Sequence, residues 1–185
     1  MSIKRSIYLS SLALLVAAFV YASPALRPAD PIPDSKEVSN LLSEAKTEAI
    51  QLKDDANTME SFTLSNLNWQ SHADKAMEIK EHVNNLGKTI GKLNQARSSA
   101  SLWQQTAIDR VNPILRELAA NVQATIDHLN KDRTHPLQTT EHKDYLKANA
   151  ELSTRMATLV SDFVDYGETK AKFDQLSQRL EVAER

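Results

Sequence analysis

Histidine and methionine are the side chains of this sequence best suited to binding a cofactor. The chain of 185 residues contains five histidines and four methionines but no cysteine. Imidazole nitrogen is a ligand for copper and zinc, a thioether is a soft ligand for copper, and both bind haem iron. Without cysteine, the sequence excludes thiolate metal sites, disulfides and covalent c-type haem attachment. The candidate chemistry is therefore non-covalent binding of a metal or haem.

Four of these side chains fall near the ends of predicted helices. Met59 lies near the end of the first helix, His72 near the start of the second and His128 near the end of the third, whereas His142 lies in the first turn of the fourth. If the helices alternate in direction, these four ends meet at one pole. Met59, His72, His128 and His142 are therefore candidate ligands for copper, zinc or haem.

The simpler interpretation of the same four residues involves no cofactor. Histidines at the end of a bundle commonly hydrogen-bond loop carbonyls or capping carboxylates, and a cluster of them responds to pH. His135 belongs to the loop predicted to close this pole, while His82 is predicted to lie further along the second helix. We therefore expect no resident cofactor, and keep the metal or haem site as the alternative.

The elements that position these residues are predicted from apolar periodicity. Apolar residues recur at alternating steps of three and four in blocks at about 35–61, 66–97 and 102–130, and in a long block that Thr139 or Thr140 can cap. The chain has three glycines, and four of its six prolines lie between Pro24 and Pro33, so the rest lacks the turns that sheets need. The prediction is an all-α, antiparallel up-down-up-down four-helix bundle with a long C-terminal helix.

Each block has one apolar stripe that we expect to face the core. The predicted inward positions are Val38, Leu42, Ala45, Ala49, Leu52, Ala56 and Met59; Trp69, His72, Ala76, Ile79, Val83, Leu86, Ile90 and Leu93; Ile108, Val111, Leu115, Leu118, Val122, Thr125 and Leu129; and His142, Tyr145, Asn149, Leu152, Met156, Leu159, Phe163 and Tyr166.

Local signals refine the boundaries of these helices. Ser65 is a possible N-cap of the second helix, and Ser101 followed by Gln104 is a capping-box pattern for the third. Pro113 is expected to kink the third helix, because proline cannot donate a backbone hydrogen bond. Trp103 lies off the apolar stripe and is expected to fold over the segment "RSSAS"; the alternative is an exposed tryptophan that anchors a partner.

The N-terminus has the pattern of a secretory signal peptide. Lys4 and Arg5 precede the apolar run "SIYLSSLALLVAAFVYA", and small residues suit cleavage after Ala22 or Ala25. The predicted organisation is a signal peptide at 1–22, a proline-rich spacer at 23–34 and a bundle domain at 35–185. We expect an exported protein, periplasmic or secreted, with a membrane anchor only if the signal remains uncleaved.

Charge and motifs exclude two broad functions. Without Lys4 and Arg5, 20 basic residues face 24 acidic ones, and no basic block suits a row of phosphates, so nucleic acid is not an expected partner. The sequence has no Gly-x-Ser-x-Gly elbow, and its carboxylates are dispersed at the spacing of a helix surface. We therefore expect a protein that is not an enzyme.

The end of the chain carries a further apolar pattern. After Gly167 the spacing resumes through Phe173, Leu176 and Leu180, and whether the helix continues across Gly167 is left open. A projecting helix of this kind suits a protein partner or self-association. The expected function is binding or scaffolding in the bacterial cell envelope; the alternative is an extracytoplasmic bundle that binds copper, zinc or haem.

Overall fold

The all-helical prediction is confirmed, with four long helices packed against each other. A computed structural model describes residues 32–65, 67–131, 137 and 139–183. The helices are α1 (Lys36–Ser61), α2 (Trp69–Ala96), α3 (Leu102–Lys131) and α4 (Thr140–Ala183), with single 3-10 turns at Phe62–Leu64 and Arg97–Ser99. No strand occurs among these residues.

The predicted signal peptide, residues 1–22, and residues 23–31 of the spacer lie outside the described residues. Within the described part of the chain, none of the helices is both long enough and apolar enough to cross a membrane.

The core is built from one face of each helix. α1 packs against α2 and α4, and α3 packs against the same two helices. The predicted stripes of α1, α2 and α3 are confirmed as buried, except that Trp69 and Leu115 are only half-buried. Small residues let the helices approach closely, because Ala45, Ala49 and Ala56 present no bulk at the α1 surface.

The predicted stripe of α4 is wrong by one residue at several positions. Tyr145, Leu152, Leu159 and Phe163 are half-buried, and Tyr166 is exposed. The buried face of α4 is narrow and contains several small side chains, which bring the helix close to α1 and α3 and leave the larger residues along its flank. The buried positions are His142, Leu146, Asn149, Ala150, Ser153, Met156, Ala157, Val160 and Val164.

The N-terminal caps differ in part from prediction. Asn68, rather than Ser65, caps α2, since its Oδ1 accepts a hydrogen bond of 2.9 Å from the backbone N–H of Ser71. One half of the predicted capping box of α3 is present, because Gln104 Oε1 accepts from the Ser101 N–H at 3.1 Å; the Ser101 hydroxyl donates to the same oxygen at 3.3 Å. Gln104 is fully buried and also bonds both backbone groups of Ser35. One side chain therefore joins the starts of α1 and α3.

α4 continues without interruption across Gly167, and Trp103 explains why a glycine lies there. A Cβ on Gly167 would approach Trp103 Cη2 to 2.7 Å. The indole N–H donates to Asp34 at 2.7 Å, and the ring packs edge-on against Tyr166. The expectation that Trp103 folds over the "RSSAS" segment is therefore wrong, because the flat glycine surface of α4 accepts the ring instead. Pro113 lies inside α3; the kink predicted there stays a prediction.

Candidate functional site

The structure brings three of the predicted site histidines together. His72 lies in the first turn of α2, His142 in the first turn of α4 and His128 in the last turn of α3. His142 Nε2 and His72 Nδ1 are 3.0 Å apart, and both side chains are almost fully buried. We call His72, His128 and His142 the histidine cluster.

Aromatic side chains enclose this cluster. The Phe62 ring lies edge-on to His72 with ring centres 5.2 Å apart, and the His128 ring stacks on His142 at 5.5 Å. The Tyr145 ring contacts the His128 ring, and their centres are 5.5 Å apart. The pair is therefore packed against rings and separated from water, which disfavours charge on either imidazole.

Local hydrogen bonds hold the helix ends that carry the histidines. The Trp69 indole N–H donates to the Leu129 carbonyl at 2.7 Å, which fastens the start of α2 to the end of α3. The backbone N–H of His142 is capped by Thr139 Oγ1 at 3.3 Å. These bonds hold the backbone close to each ring, and they therefore help to position the two imidazoles against each other.

The electrostatics of the pair favour the neutral state. Burial lowers the pKa of His72, because the charged imidazole is separated from water. Burial, reinforced by the charges that His72 and His128 would carry, lowers the pKa of His142 to about 4. Glu141 Oε1 lies 3.8 Å from His128 Nδ1, at the edge of the cluster. At neutral pH both imidazoles are therefore uncharged, and the N–H of one ring donates a hydrogen bond to the unprotonated nitrogen of the other.

Two nitrogens of the pair have no hydrogen-bond partner among the described residues. These atoms are His72 Nε2 and His142 Nδ1, both buried. Because the other nitrogen of each ring is used in their mutual bond, the two unpaired atoms lie on opposite sides of the pair. They cannot both bind one ion while that bond persists.

The metal prediction for Met59, His72, His128 and His142 stays a prediction. Met59 is buried one helical turn before Phe62, which itself contacts His72. In the described part of the chain, no group of three or more histidine, cysteine, aspartate or glutamate residues is arranged to hold a metal ion. His135 lies outside the described residues.

The fifth histidine occupies an acidic environment that the sequence did not reveal. His82 Nδ1 lies 3.3 Å from Glu48 Oε2, and its Nε2 lies 3.2 Å from Asp55 Oδ2. Lys75 also pairs with Asp55 at 3.1 Å and with Glu78. These groups tie α1 to α2 at their partly exposed edge, and this network depends on the register of the two helices. The apolar periodicity of α1 or of α2 alone therefore cannot predict this network of ion pairs.

The C-terminal end of α4 is the second candidate site. Phe173, Leu176 and Leu180 are 68%, 49% and 67% exposed, and we call these three residues the C-terminal stripe. Isolated apolar side chains on a surface are common, but three at helical spacing form a continuous surface. This arrangement is typical of a helix that binds another helix.

The C-terminal stripe does not continue the buried face of α4. Phe173 follows buried Val164 by nine residues, which is about two and a half turns at ~3.6 residues per turn. Phe173 therefore points about half a turn away from the core-facing side. The apolar spacing that resumes after Gly167 therefore lies on a different face of α4 from the buried residues.

Contacts near Gly167 show where α4 passes its neighbours. Trp103, at the start of α3, lies against Gly167, and Lys170 Nζ is 3.3 Å from Asp34, just before α1. Burial opposes ionisation of Asp34, yet hydrogen bonds from Ser101, Trp103 and Lys170 outweigh it and lower its pKa. Residues 172–183 therefore extend beyond the starts of α1 and α3 by roughly 18 Å at ~1.5 Å per residue. We call them the C-terminal extension.

Comparisons of the chain with protein-family models, with characterised proteins and with solved structures gave no match. The function is therefore inferred from the geometry of the histidine cluster and the C-terminal extension.

Proposed function

We propose that this protein is an exported, non-catalytic binding or scaffolding protein of the bacterial cell envelope. In this proposal the four helices form an antiparallel up-down-up-down bundle that carries the C-terminal extension of α4. The pairing of each helix with two neighbours supports the topology. The positive start and apolar run of the N-terminal sequence support export, with cleavage after Ala22 or Ala25.

The exposed C-terminal stripe is the observation that carries this proposal. Leaving Phe173, Leu176 and Leu180 in water forgoes burial worth about 1.5–3 kcal/mol for each side chain. The bundle gains nothing from these residues, since they lie on the side of α4 opposite its core-facing side. Binding a partner helix along the stripe recovers that free energy.

Three substitutions test whether the stripe is the binding surface. F173Q, L176Q and L180Q combined keep the length and charge of the extension and remove its apolar surface. We expect the thermal unfolding midpoint to match that of the wild type, while association measured by sedimentation and chemical cross-linking weakens by more than about tenfold.

A matched control changes the other side of the same segment. Q175A and Q178A combined alter two exposed residues of the extension without touching the stripe, and should associate as the wild type does. If the triple glutamine variant associates as strongly as the wild type and the control, the extension is not the binding surface.

Export is tested separately from binding. N-terminal sequencing of the protein that cells accumulate in the envelope should begin at Ser23 or Leu26, as cleavage after Ala22 or Ala25 requires. Protein that starts at Met1 and remains with the membrane would instead indicate an anchored form.

A metal- or haem-binding function is the second candidate, favoured by the three adjacent imidazoles and by the unpaired buried nitrogens of His72 and His142. In this function His72, His128 and His142, with Met59, would bind copper, zinc or haem after the bond between His72 and His142 breaks.

The test of metal or haem binding is the absorption spectrum and metal content of protein purified without chelator. A stoichiometric species that the H72A/H142A variant loses supports this function, and a metal-free protein that also ignores added copper, zinc and haemin excludes it.

A further inference from the structure

We propose that the partner of the C-terminal stripe is a second copy of this chain, and that the two extensions pair as a short parallel coiled coil. This inference rests on the proposed function, because it takes the stripe as the binding surface. It adds the identity of the partner and the direction in which the two helices run.

The spacing of the stripe is that of a coiled-coil seam. Phe173, Leu176 and Leu180 follow one another at steps of three and four, and Tyr166, which is also exposed, lies seven residues before Phe173. In a heptad written abcdefg, Phe173 and Leu180 occupy a positions and Leu176 occupies a d position. A seam of this kind buries its apolar residues against an equivalent seam on another helix.

The position of the seam leaves room for a second bundle. Since Phe173 points about half a turn away from buried Val164, a helix bound to the seam lies on the side of α4 opposite the core. Two copies can then pair about a two-fold axis along their extensions, with each bundle on the outer side. Such an interface is isologous and closes as a dimer.

The charges beside the seam select the parallel orientation. Lys172 and Arg179 are exposed and occupy the two g positions that flank the stripe. An antiparallel pair places g against g, so that these two basic residues would repel their counterparts. In a parallel pair g faces e of the following heptad, where Lys172 meets the neutral Ser177 of the other copy.

The next pair of g and e residues, one heptad closer to the bundle, also favours the parallel orientation. Asp165 occupies a g position and Lys170 the following e position, so the parallel pair brings opposite charges together. Within one chain these residues already pair with Lys46 and with Asp34 and Asp174. The pairing between copies therefore adds selectivity for direction more than strength.

The dimer is expected to be weak and dependent on concentration. The extension is roughly 18 Å long at ~1.5 Å per residue, which is less than two heptads. An interface of this length falls below the roughly 1,200 Å² of a standard stable complex. Because α4 is already helical through its packing in the bundle, pairing does not have to nucleate the extension.

A single introduced cysteine tests both the partner and the direction. The natural chain has no cysteine, so L176C places the only thiol of each copy at a d position of the seam. In the parallel dimer the two thiols face each other across the seam, and mild oxidation of the full chain should give a covalent dimer. Q178C places the thiol at an f position, on the side of the helix away from the seam. It serves as the control, because it differs from L176C only in the position of the cysteine.

We expect L176C to form the covalent dimer at least about tenfold faster than Q178C, because the seam holds its thiols at high effective concentration. Adding K172E to L176C should slow cross-linking little, since residue 172 faces the neutral Ser177 of the other copy in the parallel pair. Equal rates for L176C and Q178C would overturn the proposal. So would a mixture of F173C and L176C chains that cross-links chiefly between unlike chains, because that pattern marks an antiparallel pair.

The cross-linking result is distinguishable from failure of the proposed function. If the triple glutamine variant loses association but L176C and Q178C cross-link equally, the stripe binds a different partner and only the inference of a parallel homodimer fails. If the triple glutamine variant associates normally, the stripe itself is not a binding surface and both proposals fail.

Discussion

At the scale of single residues, the contact between His72 and His142 is the least expected feature of the core. Two imidazoles bond directly at 3.0 Å where a bundle would ordinarily contain apolar side chains. The pair leaves buried nitrogens without partners among the described residues, which costs free energy relative to an apolar pair. The pair also makes the stability of this end of the bundle depend on pH.

The pH dependence has a defined sign. An unfolded histidine titrates near pH 6.5, whereas His142 in the folded protein has a pKa of about 4. Between these values the unfolded chain binds more protons, so the free energy of unfolding should fall as the pH is lowered through this range. The loss attributable to His142 is on the order of 3 kcal/mol, at ~1.4 kcal/mol per pKa unit.

Urea denaturation at pH 7.5 and at pH 4.5 measures this effect. The wild type should lose more stability between the two conditions than the H72L/H142L variant, which retains the same carboxylates. An equal loss in both proteins would show that the acid sensitivity arises elsewhere.

At the scale of secondary-structure elements, α4 combines two surfaces. Its first part packs a narrow face of small residues against α1 and α3, and its last part carries the C-terminal stripe on the opposite side. Trp103 marks the boundary between them, since it packs on Gly167 and bonds Asp34. The flat surface at Gly167 is therefore needed for this contact.

Two glycines in helices make a matched pair for testing this role. A Cβ at Gly91 would meet nothing within 4 Å, so G91A should raise stability by about 0.5–1 kcal/mol through helix propensity. G167A gains the same propensity but displaces the Trp103 ring, and should therefore be less stable than G91A by about 1 kcal/mol or more. Chemical denaturation measures both, and equal stabilisation would mean that Trp103 moves aside without cost.

At the scale of the whole molecule, a well-packed bundle carries an extension that contributes little to folding. The four helices bury a continuous core that runs from Val38 in α1 to Val164 in α4. The apolar residues of the C-terminal stripe, which begins at Phe173, remain exposed to water. Packing protects a helix from local opening, so local stability should differ sharply between the two parts of α4.

Hydrogen exchange tests this division. Backbone amides of residues 172–183 should exchange far faster than those of residues 146–164 in dilute protein, because the extension has no packed neighbour among the described residues to protect its helix. Raising the protein concentration should slow exchange in the extension alone, as pairing of two copies requires. Protection of the extension equal to that of the core, at every concentration, would contradict both expectations.

Helix number and inward faces could be predicted from the sequence, because both depend on local periodicity. Apolar steps of three and four mark the helices directly, and the buried stripes of α1, α2 and α3 follow from them with few exceptions. The proximity of His72, His128 and His142 was also predictable, since each lies near a helix end and short connections bring those ends together. Their role in binding a metal or haem stays a prediction.

Only the tertiary structure decided how these elements fit. The one-residue shift of the α4 face, the bond between His72 and His142 and the position of His82 between Glu48 and Asp55 depend on the register and rotation of one helix against another. A single helix contains no information about that register, because many rotations bury similar apolar area and side-chain packing selects among them. The sequence by itself therefore determined the helices and the apolar faces of α1, α2 and α3, whereas packing determined the buried face of α4, which side chains meet and which face of the C-terminal extension stays open.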